Sequence, residues 1–251
     1  MSNQKIMSNP VEAFVEERKQ RIEGNGDNAE LRSAADAFNV ASNKAQYSYN
    51  FSWMGRPIIQ YPQDMIAMQE IIWQVKPDLV IETGIAHGGS LIYYASILEL
   101  IGKGEVLGID IDIREHNRKE IENHVMYKRI KMIQGSSIDN QTLEEVKKYA
   151  DGKEKIIVCL DSNHTHEHVM RELEMYAPFV SLNSYIVVFD TIVEDLPEGY
   201  FAQKRPWGIS NNPKTAVYEF LKNNPGFEID RAIDNKLLIS VAPEGYLKRI
   251  S

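Results

Sequence analysis

The stretch Asp78-Leu-Val-Ile-Glu-Thr-Gly-Ile-Ala-His-Gly-Gly-Ser90 constrains the fold of this chain more than any other. Leu79, Val80 and Ile81 form a continuous apolar run, the pattern of a strand buried on both faces of a parallel sheet. The run ends in Glu82, and Gly84, Gly88 and Gly89 then permit a tight turn and close approach of the backbone to a ligand. Ser90 is placed to cap a helix continuing through Leu91 to Leu98. Two ligand classes use such a strand, loop and helix. A dinucleotide sets its pyrophosphate on the helix N-terminus and uses a Gly-x-Gly-x-x-Gly spacing that this loop lacks. A carboxylate at the strand end repels pyrophosphate and suits a cation. Glu82 therefore favours S-adenosylmethionine, whose sulfonium and ammonium groups are both positive. A glycine-rich turn that binds nothing is the remaining reading.

Beyond this stretch, strand and helix patterns alternate. Apolar runs at 105–110, 130–133, 156–161 and 185–190 are separated by helical patterns at 114–123, 142–149 and 167–176. Alternation of this kind implies βαβ units, a parallel sheet and helices on both faces. A further helix covers 213–222. The apolar runs at 227–231 and 237–241 are too close for a helical crossover and are expected to pair antiparallel. The predicted fold is α/β: a doubly wound, mostly parallel seven-stranded sheet, Rossmann-like, with an antiparallel C-terminal strand and an N-terminal helical extension.

That extension spans residues 1–60, ahead of a main domain over 61–251. Val11, Phe14, Val15 and Ile22 make an amphipathic stripe that Gly24-Asn-Gly-Asp-Asn28 should break, and a second helix is expected over 29–43. These helices could cover a domain face, close a lid or bind another subunit; the exposed stripe predicts a homo-oligomer. The aromatic-rich segment from Tyr47 to Pro62 reads as irregular and packed beside the glycine loop. A helix should follow over 63–75. The net charge of −8 argues against a nucleic-acid partner. With one cysteine, Cys159 in an apolar run, neither a disulfide within the chain nor a cysteine zinc cluster is possible. No run is long enough to span a membrane and the first residues lack an apolar signal segment, so a cytoplasmic location is expected.

A parallel sheet opens its ligand crevice at the carboxyl ends of its strands. Asp110 ends the second strand and suits ribose hydroxyls, with Asp112 as the alternative. Gly135, Ser136 and Ser137 offer donors to an adenine edge and Asp139 an acceptor, although the same residues make an ordinary turn and helix cap. His87 is a candidate contact to cofactor or substrate. Asp161 and Asp190 converge at strand ends and are suited to hold Mg²⁺ through oxygen, which would lower the pKa of a hydroxyl. His164 is then a natural general base. A zinc site built on His164, His166 and His168 is disfavoured, because only His164 and His168 would share a helix face; His166 and His168 read as solvated helix-start residues.

These residues together resemble one family, the S-adenosylmethionine-dependent methyltransferases grouped under the name cephalosporin hydroxylase. The resemblance rests on Trp53-Met-Gly-Arg-Pro57, the 77–90 stretch, Gly108-Ile-Asp-Ile-Asp112, Gln134-Gly-Ser-Ser137 and Asp161-Ser-Asn-His-Thr-His-Glu-His168. It implies a class I methyltransferase fold and Mg²⁺-assisted methyl transfer to an oxygen of a small polar acceptor, a sugar or sugar-containing metabolite. Glu82, Gly84, His87, Gly88, Ser90, Asp110, Gly135, Ser136, Ser137 and Asp161 would line the cofactor site, Asp161 and Asp190 the metal site, and His164 with Asp161 would act in catalysis. No iron-site pattern supports the hydroxylase label. One departure stands out: the family's fifth strand ends in two adjacent acids, and here the pair is Phe189-Asp190, leaving Glu194 or Asp195 as possible recruits. A nicotinamide-dependent oxidoreductase and a non-catalytic binding protein of the same fold are the rival readings.

Overall fold

The computed structural model describes residues 9–200 and 205–251. The first eight residues of the expected extension therefore lie outside the described chain. Helix α1 (Pro10–Asp27) starts at Asn9, whose side chain accepts from the Val11 amide, and runs straight through Gly24 and Gly26. The break expected over 24–28 comes at the last residue of that stretch, Asn28, the N-cap of α2 (Ala29–Lys44). Gly26 serves packing instead: a Cβ there would stand 2.6 Å from the Asn235 side chain. The segment read as irregular contains a hairpin, β1 (Phe51–Trp53) and β2 (Arg56–Ile58), ahead of α3 (Pro62–Val75). It does pack beside the glycine loop, and Trp53 fills core space edge-on to Tyr93.

The βαβ alternation then follows: β3 (Leu79–Thr83), α4 (Gly89–Ile101), β4 (Glu105–Asp110), α5 (Glu115–Glu122), β5 (Ile130–Gln134), α6 (Asn140–Ala150), β6 (Ile156–Leu160), α7 (His166–Tyr176) and β7 (Tyr185–Val188). After these come α8 (Pro213–Asn223), β8 (Phe227–Ile229), α9 (Arg231–Leu237) and β9 (Tyr246–Arg249). The seven strands lie in the order β5-β4-β3-β6-β7-β9-β8, with β9 antiparallel to both its neighbours. This is the expected doubly wound sheet. Val80, Val106 and Ile157 face α3, α4 and α9, while Ile81, Leu107 and Val158 face α6, α7 and α8. Cys159 is buried in the first of these layers, as a small apolar residue would be.

The C-terminal pairing departs from expectation. The strand expected over 237–241 is the end of α9 followed by a bend, and the strand forms later, at β9. Asp230 starts α9 by accepting from the Ala232 amide. Buried Asp64 on α3 accepts from Ser240 Oγ at 2.6 Å, the Val241 amide at 2.9 Å and the Tyr246 hydroxyl at 2.7 Å. An amide committed to a carboxylate cannot join a β-ladder. Among the described residues no helix is long and apolar enough to cross a membrane.

Candidate active site

The glycine loop leaves β3 at Gly84, whose φ of 90° lies in the left-handed region. A Cβ there would stand 2.0 Å from the carbonyl oxygen of Asp161, so only glycine lets the ends of β3 and β6 approach this closely. Asp110, at the end of β4, sits beneath the loop. Its Oδ2 accepts from the amides of Ile85 at 2.8 Å and Ala86 at 3.3 Å, and its Oδ1 from Asp112 at 3.0 Å. The loop amides that would cradle a phosphate are thus turned onto the protein's own carboxylate.

Ser90 does not cap α4 through its side chain. The N-cap is Gly88, with φ 78°, and Ser90 Oγ donates to Glu82 Oε2 at 2.6 Å. Glu82 has few other polar neighbours and is only 1% exposed. Burial pushes its carboxyl up to about 8, against the lowering effect of hydrogen bonds from Ser90 and Tyr94. Glu82 therefore lies under the crevice floor and reaches it by way of Ser90.

Two residues outside the expected set hold the loop from the other side. Arg56 donates to the His87 carbonyl through Nε at 3.0 Å and Nη2 at 2.7 Å. Asn117 accepts from Arg56 at 3.0 Å and donates to the Ala86 carbonyl at 2.9 Å. Arg56 stood within the Trp53–Pro57 motif, so a signal for it existed; nothing in the sequence linked Asn117 to the loop. The His87 ring is half-buried at the loop surface.

At the ends of β6 and β7 three side chains meet. Donor atoms of Asp161, His164 and Asp190 all lie within 4.8 Å of one another. His164 Nε2 stands 3.0 Å from Asp190 Oδ2. Burial, and then the negative charges of Asp190, Glu82 and Glu172, push the Asp161 carboxyl well above its ordinary value. A cation placed among these residues would relieve that repulsion, so the donor set fits a small divalent metal ion with oxygen preference. Phe189 adds no ligand: it is 1% exposed and packed in the core. Glu194 and Asp195 are not recruited. Glu194 accepts from the Ser210 amide at 2.8 Å and from Asn212 Nδ2, and Asp195 pairs with Lys214 at 2.5 Å. The Asp190 turn, with φ 55°, is braced by the C-terminal segment: Ile192 N donates to the Val241 carbonyl, Thr191 Oγ1 to Pro243 and Val188 N to Gly245.

The histidines after β6 take separate partners. His164 precedes α7 and packs edge-on to Trp207, with ring centroids 4.8 Å apart. His166 and His168, expected to be solvated, are half-buried and each has side-chain partners. His166 Nδ1 lies 2.8 Å from Thr215 Oγ1 and its Nε2 3.2 Å from Glu219. His168 Nε2 lies 3.1 Å from both Ser137 Oγ and Ser162 Oγ, and Ser162 donates to buried Glu172 at 2.7 Å. Thr215 and Glu219 come from α8 and Ser137 from the loop before α6, which spacing along one segment cannot reveal. Asp139 accepts from the Gln141 amide at 2.8 Å and caps α6; of its two expected roles it serves the cap. Gly135 and Ser136 flank it at the same edge, with Gly135 held close to Thr142. Beside Trp207 lies an open cavity of about 610 Å³ lined by Val193, Pro197, Tyr200, Trp207 and Ile209.

Residues 45–250 match the family model described as "Rhamnosyl O-methyltransferase/CmcI". The rhamnosyl O-methyltransferase of Mycobacterium tuberculosis is 30% identical over 202 residues, covering 79% of this chain and 78% of the relative. That of Mycobacterium leprae is 28% identical over 201 residues, covering 79% and 82%. Among solved structures, apo CmcI has a TM-score of 0.59 at 18% identity, over 81% of this chain and 77% of that one. An O-methyltransferase from Bacillus cereus in complex with SAH has a TM-score of 0.52 at 14% identity, over 87% and 91%. At these identities the structural likeness speaks for the fold.

Proposed function

Because the chain belongs to the rhamnosyl O-methyltransferase/CmcI family, an S-adenosylmethionine-dependent O-methyltransferase activity is its premise, and we propose that it methylates a hydroxyl of a sugar or sugar-containing small molecule with the help of Mg²⁺. The observation that carries this reading is the convergence of Asp161, His164 and Asp190 beside the glycine loop. In this reading residues 61–251 form the methyltransferase domain. Residues 1–60 form an extension whose hairpin buttresses the loop.

The carboxyl edge of β3, β4 and β5 would hold the cofactor, which would supply an electrophilic methyl group. Gly84 and Gly88 keep the loop close to the sheet, and Ser90, polarised by Glu82, would meet the cationic end together with His87. Asp110 fixes the loop and would offer its remaining acceptor capacity to ribose hydroxyls. Gly135, Ser136 and Ser137 would border the adenine. The loop amides already given to Asp110 speak against a pyrophosphate and so against the nicotinamide alternative.

Asp161 and Asp190 would hold Mg²⁺, which lowers the pKa of a bound hydroxyl. Asp190 Oδ2 accepts from Nε2–H of His164 in the tautomer that fits their 3.0 Å separation. His164 Nδ1 then carries the lone pair that takes the acceptor proton. Trp207 keeps the imidazole in place and walls the adjoining cavity, where the rest of the acceptor fits. Alignment is the chain's main contribution, since a held geometry replaces the entropy loss of an encounter.

The test is methyl transfer from labelled S-adenosylmethionine to a panel of glycosides, with and without chelator, on the parent and on Asp190→Asn. Reversible loss in chelator and a large loss in the variant are expected. Full activity in chelator removes the metal from the reading, and the buried Phe189 in place of a second acid would then explain why His164 works without it.

A further inference from the structure

Helix α7 presents His168, Glu172 and Tyr176 at intervals of four, one above another on a single face. That face holds the two loops at the β5 and β6 ends of the crevice. Tyr176 donates to the Ser137 carbonyl at 2.8 Å, and His168 Nε2 lies 3.1 Å from both Ser137 Oγ and Ser162 Oγ. Ser162 is the exposed member of the group. It follows Asp161, and its Cα would stand 3.1 Å from a Cβ on Gly84, so it sits against the glycine loop.

One buried acid fixes the direction of these hydrogen bonds. Glu172 is 0% exposed; its Oε1 takes the Ser162 proton at 2.7 Å, and its Oε2 has no hydrogen-bond partner among the described residues. His168 Nε2, at 3.6 Å, is too far to replace Ser162 as donor. If Ser162 turned its hydroxyl away, the whole carboxyl would be left buried without a bond. A serine hydroxyl has one hydrogen and two acceptor lone pairs. With that hydrogen spent on Glu172, Ser162 can bond His168 only by accepting, which puts the imidazole hydrogen on Nε2. The lone pair left over makes Ser162 an acceptor, and not a donor, toward the crevice.

The acceptor that the sequence offered for the adenine amino group, Asp139, is turned to capping α6. We infer that Ser162 takes that role: it is the specificity-determining residue for the amino group of the cofactor's base, and Glu172 is the positioning residue that makes it an acceptor. An amino group brings a hydrogen to the Ser162 oxygen. An oxo group at the same place sets oxygen against oxygen with no hydrogen between them. The inference rests on the placement of the adenine at the crevice edge proposed above.

Calorimetry on the full chain tests this with S-adenosylhomocysteine and its inosine counterpart, the same molecule with the amino group replaced by oxo. The parent should bind the adenosine form more tightly by about tenfold or more. Ser162→Ala removes the acceptor and should erase most of that preference by weakening the adenosine form. Glu172→Met keeps the bulk without an acceptor and frees the Ser162 hydroxyl to turn outward. It should tighten the inosine form by about tenfold, a gain that damage to the fold cannot produce. Ser162→Ala, at an exposed position, carries the test if the Glu172 variant does not fold. A parent indifferent to the base, a Ser162→Ala chain that keeps the full preference, or a Glu172→Met chain that weakens both ligands alike would each overturn the inference. A parent that binds neither form would overturn the cofactor placement, and the inference with it.

Discussion

Replacing Glu82 by glutamine isolates the cost of keeping a carboxyl under the glycine loop. The folded group titrates at about 8 and its ordinary value is 4.5. Between those values the folded chain holds a proton that the unfolded chain has released, so stability falls as pH rises. The contribution is complete below 4.5 and gone above 8. Across that window, at about 1.4 kcal/mol per pH unit, it amounts to on the order of 5 kcal/mol. Glutamine has nearly the same shape and can still accept from Ser90, but it does not titrate. Asp64, pushed up to about 6 by its burial, gives a slope of the same sign in parent and variant alike, and cancels in the difference. Urea denaturation followed by tryptophan fluorescence at pH 5, 6, 7 and 8 supplies the two curves. The parent should lose stability relative to Glu82→Gln at each step. Curves that run parallel from pH 5 to 8 would refute the reasoning, because they would mean that Glu82 is ionised in the folded chain throughout.

Two further expectations concern the loop itself. Gly84→Ala combines a left-handed φ with a Cβ 2.0 Å from the Asp161 carbonyl, and should destabilise the fold by roughly 2–4 kcal/mol and weaken cofactor binding, both measurable by thermal shift with and without S-adenosylhomocysteine. Asp110→Ala strips the Ile85 and Ala86 amides of their acceptor and should lower cofactor affinity at least tenfold in calorimetry while the sheet survives; unchanged affinity would move the ribose assignment to Asp112.

Much of the sheet could be read from the chain because its central strands are covered on both sides. Runs such as Leu79–Ile81 and Ile156–Leu160 have no polar alternation to confuse with a surface helix. Asp161, His164 and Asp190 were legible for a related reason: in a parallel sheet, residues just past the apolar runs arrive at one edge. What escaped depends on pairing across long separations. The stretch 237–241 is as apolar as a strand, but its amide is claimed by Asp64, far away in sequence. Ser90 has the composition of a helix cap but donates to a buried acid instead. Asn117 reaches the Ala86 carbonyl from a polar helix with no motif around it. The exposure of His166 and His168 was misjudged because Thr215, Glu219 and Ser137 close over them from elements that sequence does not place beside α7.

The bracing of the Asp190 turn by residues 241–245 bears on when the protein becomes competent during its own synthesis. The parallel strands β3 to β7 are complete once the chain has been made through Val188, and chains fold from the N-terminus as they emerge. The turn carrying Asp190 is different, because Val241, Pro243 and Gly245 must be available to fix it. Residues 241–245, made after every parallel strand of the sheet, are therefore among those that shape the crevice. A nascent chain that has not yet emerged as far as Gly245 can hold the parallel strands and the cofactor loop while Asp190 is not yet set against His164, so the crevice is completed only when those residues arrive.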